Sequence, residues 1–144
     1  MKKLVLALLC VALAAPAWAA SVTVTGAFAR ATAPGADTGA VYLGLQSDLP
    51  DTLTGVASGV ASGAMLHQTT MQGMVMSMDM LDHIDLPAGQ EVTLAPGGRH
   101  IMLEGLKQPL VKGSHIPLHL TFAHAAPMDI LVPVAGLAAT APNE

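Results

Sequence analysis

Gly, Pro, Asp and Ser cut this chain into short apolar runs at roughly ten-residue intervals, and no stretch between them carries a helical period. That punctuation predicts an all-β sandwich or barrel in a single domain. Residues 22–25 alternate, residues 40–45 read as a buried strand, and residues 91–94 lie between Pro87-Ala-Gly89 and Pro96-Gly-Gly98. Two turn-bounded strands follow, residues 100–106 and 115–122, and residues 130–134 form the last. The small-residue tandem of residues 55–63 is read as a strand edge or loop, too short for a repeat architecture. From Ala135 the pattern ends, and residues 136–144 are expected to be a flexible tail.

The first residues are not expected to join the fold. Lys2 and Lys3 precede an apolar run of residues 4–15 and then Ala17-Trp18-Ala19, the pattern of a cleaved secretory signal peptide over residues 1–19. Cys10 follows Leu9 inside the apolar run, which does not suit lipid attachment. No later segment approaches the roughly 18 apolar residues of a membrane helix, so stable membrane insertion is not expected. The β-domain then occupies residues 20–135. Without the leader, the six Lys and Arg fall to four against ten Asp and Glu, a formal charge of −6, which disfavours nucleic acid. The one cysteine leaves with the leader, so disulfides and thiolate ligands are excluded.

Six of the nine methionines lie between residues 65 and 80, and Met74, Met76, Met78 and Met80 alternate, which places them on one face of a strand. Methionine stripes more often fill cores than bind metals, so the histidines weigh in the reading. With Gln72-Gly73 as a two-residue turn, cross-strand partners would sum to 145, setting His67 opposite Met78, Met65 opposite Met80 and Met71 opposite Met74. His100 and Met102 share a strand face about 6.6 Å apart. Thioethers select copper(I), imidazole accepts copper in either oxidation state, and methionine escapes the disulfide chemistry that would disable a cysteine pair. His115 and His119 alternate with Ile116, Leu118, Leu120 and Phe122 and should face solvent. His83, beside Asp82 and Asp85, reads as a loop residue and His124 carries no signal.

Ten residues separate His67 from Met78, twenty-one separate Met78 from His100, and one separates His100 from Met102. This spacing resembles the H(M)X10MX21HXM motif of the PCuAC copper chaperones, and the segments TGAVYLGLQS, LHQTTMQGMVMSM and IDLPAGQEVTLAPGGRHIMLEGLKQPLVKGSHIPLHLTF extend the resemblance from about Val22 to Val134. The resemblance implies a cupredoxin-like Greek-key fold and a periplasmic location. It also implies one copper(I) held by His67, Met78, His100 and Met102. Delivery toward the dinuclear copper centre of cytochrome c oxidase follows from it, with the oxidase copper subunit and a Sco-type protein as partners. The ending AGLAATAPNE lacks the His- and Met-rich extension of some relatives.

Three functions compete on the residues alone. A carrier fits neutral ligands that an incoming donor can displace one at a time. Copper sequestration for tolerance would use the further methionines as added capacity. An enzyme is not expected: the chain has no G-x-S-x-G elbow, since Ser58 is displaced by one position, and no GxxxxGK[ST] loop. A blue-copper electron carrier would need a cysteine ligand.

Overall fold

The computed structural model describes residues 19–144, so most of the predicted leader lies outside the described residues. Ten strands occur in order: β1 (Val22–Arg30), β2 (Thr38–Ser47), β3 (Asp51–Ala57), β4 (Ala61–Gln72), β5 (Val75–Leu81), β6 (Ile84–Leu86), β7 (Glu91–Leu94), β8 (Arg99–Leu106), β9 (His115–Phe122) and β10 (Met128–Ala135). They hydrogen-bond in the order β5-β4-β8-β2-β1-β10-β9-β3-β6, with β7 attached to β2. Only the β1–β10 pairing is parallel among these neighbours. The fold is all-β as expected, and the strand path stays open rather than closing into a barrel.

One apolar cluster draws from both ends of this path. Val41, Leu43 and Leu45 of β2, Leu66 of β4 and Ile101 and Leu103 of β8 pack with Leu53 of β3, Ile84 and Leu86 of β6, and Leu118 and Leu120 of β9. Strand β2 is almost continuously buried because both its faces are covered. Its odd residues enter this core, whereas Tyr42 joins Phe28, Ala135 and Ala139 in a second cluster on the other face. One edge of β2 is shared: β8 pairs its residues 38–41 and β7 its residues 43–46.

Two segments differ from the sequence reading. The small-residue tandem holds the end of β3, a turn and the start of β4, so it links two strands that pair with different neighbours rather than forming an edge or loop. The stretch expected to be a flexible tail is attached: Ala139 is buried beside Tyr42, and the Arg30 Nε donates to its carbonyl at 2.8 Å. Lys112 Nζ also donates to the Glu144 backbone oxygen. Alanine alone gives no periodic signal, so its burial depends on the ring surface that β1 and β2 present.

Asp51 ties β3 to the β9–β10 turn. Its carboxylate is 6% exposed and accepts from the amides of Thr52, His124 and Ala125 at 2.8 to 2.9 Å. Burial pushes its pKa up, and the backbone donors outweigh that, holding it below the ordinary carboxylate value. In the unfolded chain Asp51 titrates near pH 4 and in the fold lower, so its stabilisation is complete above that range and is lost as pH falls through the folded value. Asp51→Ala should cost about 2–3 kcal/mol at neutral pH, because it strands the three amides. Asp51→Asn should flatten the acid limb of stability against pH, and urea unfolding followed by circular dichroism checks both; an unchanged acid limb would count against this role.

Candidate metal centre

Strand β4 lies between β5 and β8, and its alternation sorts its side chains. Leu66 faces the core with Ile101 and Leu103, so Met65, His67, Thr69 and Met71 occupy the opposite face. On β8, His100 lies directly opposite His67, and Met102 directly opposite Met65. On β5, Met80 lies opposite His67, Met78 opposite Thr69 and Met76 opposite Met71. The four residues expected as ligands therefore share one face across three adjacent strands.

The expected hairpin register is corrected by two. Partners on β4 and β5 sum to 147, not 145, because the two-residue loop is Gly73-Met74 instead of Gln72-Gly73. The cause is backbone geometry. Gly73 has φ +62°, and no other type of residue has a positive φ among those described. A loop with Gly in its second position would be the turn type that also demands positive φ at Gln72, whereas Gly in the first position meets the requirement alone. A shift of two keeps every side chain on its face, so the methionine face survives while the pairs change.

Backbone hydrogen bonding adds a distance argument. Thr69 N donates to Gly98 O at 3.0 Å, so the peptide groups of Thr69 and His67 point toward β8 and away from β5. His67 and Met80 are then a non-hydrogen-bonded pair, the class in which side chains approach most closely, with Cα atoms near 4.5 Å. Met78 and Met102 stand diagonally from His67 on either side of that row, roughly 7 Å away by backbone spacing. The sequence reading left Met65 and Met80 outside the ligand set, among the further methionines, yet the pairing puts both beside the histidines. The position of Gly73 is the signal that could have found Met80.

The two imidazoles face one another with ring centroids 5.7 Å apart and planes at 67°. His100 is 5% exposed, and its ring lies 6.3 Å from Tyr42, whose ring lies 5.2 Å from Phe28. Phe28, Tyr42, His100, His67 and Met80 thus form one row across β1, β2, β8, β4 and β5. The Arg30 guanidinium sits 5.4 Å from the Tyr42 centroid, over the ring between Phe28 and His100 in the row. Burial lowers the His100 pKa, the Gly98 carbonyl opposes that and His67 adds to it, so the ring is held neutral. His100 Nδ1 lies 3.3 Å from Gly98 O; protonated there, it donates to the carbonyl and leaves the Nε2 lone pair free.

His67 Nδ1 is buried and has no hydrogen-bond partner. Burying a ring nitrogen without a partner costs free energy of the order of 1–3 kcal/mol, so such an atom calls for an occupant. No group of three or more His, Cys, Asp or Glu converges among the described residues, and the soft side-chain donors beside the two histidines are thioethers. Neutral imidazole and thioether donors on a half-exposed face suit a soft monovalent cation.

The remaining histidines lie elsewhere. His119 Nδ1 pairs with Asp129 at 2.7 Å on the β9–β10 surface, His115 is exposed, and His83 Nε2 is 3.6 Å from Asp85 between β5 and β6. The alternation of β9 is as the sequence predicts, with Ile116, Leu118, Leu120 and Phe122 buried.

The LpqE-like family profile matches residues 22–134. A curated relative, "Putative lipoprotein Lxx21020" of Leifsonia xyli subsp. xyli (strain CTCB07), is 40% identical over 83 residues, which are 57% of this chain and 50% of that protein. The chain thus matches about half the length of that relative. Among solved structures, the copper(I) form of DR1885 from Deinococcus radiodurans is 35% identical, with 83% of this chain and 81% of that one covered at a TM-score of 0.65. The copper-bound PCuAC domain from PmoF2 is 26% identical, with 80% and 92% covered at a TM-score of 0.67.

The register carries its own test. Nuclear Overhauser contacts between Hα protons should join His67 with Met80, Thr69 with Met78 and Met71 with Met76; contacts of Thr70 with Val75 and Gln68 with Ser77 in their place would restore the other turn.

Proposed function

The chain belongs to the LpqE-like family, and from that premise we propose that it is an exported copper(I) carrier whose cargo binds between His67 and His100. The observation that carries this reading is the buried, unpartnered Nδ1 of His67 facing a neutral His100 in a row of thioethers. The copper-bound states named for PmoF2 and DR1885, domains of the same fold, support copper as the ion. The lipoprotein names of the family and of the Leifsonia relative support export to the cell envelope, in agreement with the leader expected over residues 1–19.

The donors have distinct parts. His100, fixed by the Gly98 carbonyl and by the aromatic row, is the positioned ligand, and His67 is its partner across the strand pair. Met102 and Met78 complete the set from the two diagonals, with Met65 and Met80 as directly adjacent thioethers. All these donors are neutral, so the bound ion keeps its positive charge, and an incoming thioether or thiolate displaces ligands in turn. Exposure of Met78 at 49% gives that donor access. Carriage, not catalysis, is the consequence, and the oxidase copper subunit, alone or with a Sco-type protein, is the proposed acceptor. Sequestration is the second reading, favoured by the further exposed methionines of β5.

Anaerobic titration against a chromophoric copper(I) competitor should give tight binding that falls by more than about a hundredfold in His67→Ala/His100→Ala, exceeding what loss of a supporting residue causes. Unchanged affinity in that variant would overturn the centre. Loaded protein mixed with the apo copper domain of an oxidase subunit should lose its metal to it. Retention of the copper would favour sequestration.

A further inference from the structure

Strand β8 begins at Arg99, opposite Gln68, so the β4–β5 hairpin projects beyond it as a two-stranded ribbon from Thr70 to Ser77. The ribbon has two chemically distinct faces. One is polar, with Thr70 Oγ1 and Ser77 Oγ 2.7 Å apart. The other carries Met71 opposite Met76, a non-hydrogen-bonded pair by the same alternation that governs His67 and Met80. Met74 stands in the loop at the end of the ribbon and is fully exposed, while Met71 and Met76 are 62% and 65% exposed.

Filling a core gap, the usual work of methionine, does not account for three thioethers in water. Nor does strand formation, which Thr, Val or Tyr would serve better. What the three share, and what no other apolar side chain supplies, is a soft sulfur donor on a long, flexible arm. Three such arms start within six residues of chain, two from facing strand positions and one from the loop.

We propose that Met71, Met74 and Met76 form a second copper(I) site, made of thioethers only, at the free end of the hairpin. The choice of metal rests on the copper(I) reading of the His67–His100 centre; the site itself rests on the ribbon. Three neutral sulfurs bind copper(I) more weakly than a set containing two imidazoles, so the tip fills second. Met78, next along the same face after Met76, lies between the tip and the histidines, giving an ion a further sulfur on the way from one to the other.

The test is anaerobic copper(I) titration of the full mature protein carrying methyl-labelled methionine, with the methyl and imidazole resonances followed together. Wild type should bind two equivalents: the first moves the His67 and His100 signals and the second moves the Met71, Met74 and Met76 methyls. Met71→Leu/Met74→Leu/Met76→Leu should bind one equivalent, with the histidine response and the circular dichroism spectrum unchanged. In His67→Ala/His100→Ala the three tip methyls should still shift together. Tip methyls that stay in place up to saturation, or equal stoichiometry in wild type and the triple leucine variant, would overturn the proposal. Tip methyls that respond while the wild-type imidazoles do not would uphold it and overturn the histidine centre instead.

Discussion

Leu66 of β4 packs with Ile101 and Leu103 of β8 in the main core, and that burial decides where every other side chain on β4 points. A slip of one residue would bring Leu66 out and drive His67 in, forfeiting about 1.5–3 kcal/mol of leucine burial and burying an imidazole as well. The register is therefore held by the hydrophobic face, and the polar and sulfur-bearing face inherits it. His67 opposite His100 and Met65 opposite Met102 follow from one apolar contact set on the other side of the sheet, and the Gly73 turn then sets Met80 opposite His67. Without disulfides or thiolate ligands in the described domain, this burial, with the Gly73 turn and the aromatic row, orders the site.

The strands that announce themselves in the sequence are those whose two faces differ. On β9, Ile116, Leu118, Leu120 and Phe122 are buried while His115 and Pro117 are exposed, and its bounds were readable residue by residue. Strand β7 was equally plain because turn residues flank it. By contrast the end of β3 and the start of β4 are rich in Gly, Ala, Ser and Thr, small side chains whose weak contrast hides a period of two. Strand β6 has only three residues, too few to show any period. The tail escaped notice for a different reason: Ala139 is buried by the rings of Phe28 and Tyr42, a long-range event without a local trace.

At the site, the parts set by alternation were legible and those set by long-range pairing were not. His100 and Met102 share a face because they are two residues apart, and Met76, Met78 and Met80 do so for the same reason. That His67 meets His100 depends on β4 and β8 pairing across more than thirty residues of chain, and counting along the sequence does not reveal it. The hairpin partner depended on one local detail, the preference of the loop for Gly73 in its first position. Placing the turn one residue earlier exchanged Met80 for Met78 opposite His67 while leaving the face intact, so the composition of the face was legible and the nearest neighbour was not.

The overhang of the hairpin beyond β8 separates two demands that proteins usually have to reconcile. Residues from Thr70 to Ser77 bury nothing in the main core, so their identity is free of the packing constraints that govern Leu66 or Ile101. Sulfur donors there can be gained, lost or moved over evolutionary time with little effect on folding. A lineage can thus retune how its protein handles metal by editing a loop, while the aromatic row that seats His100 stays unchanged.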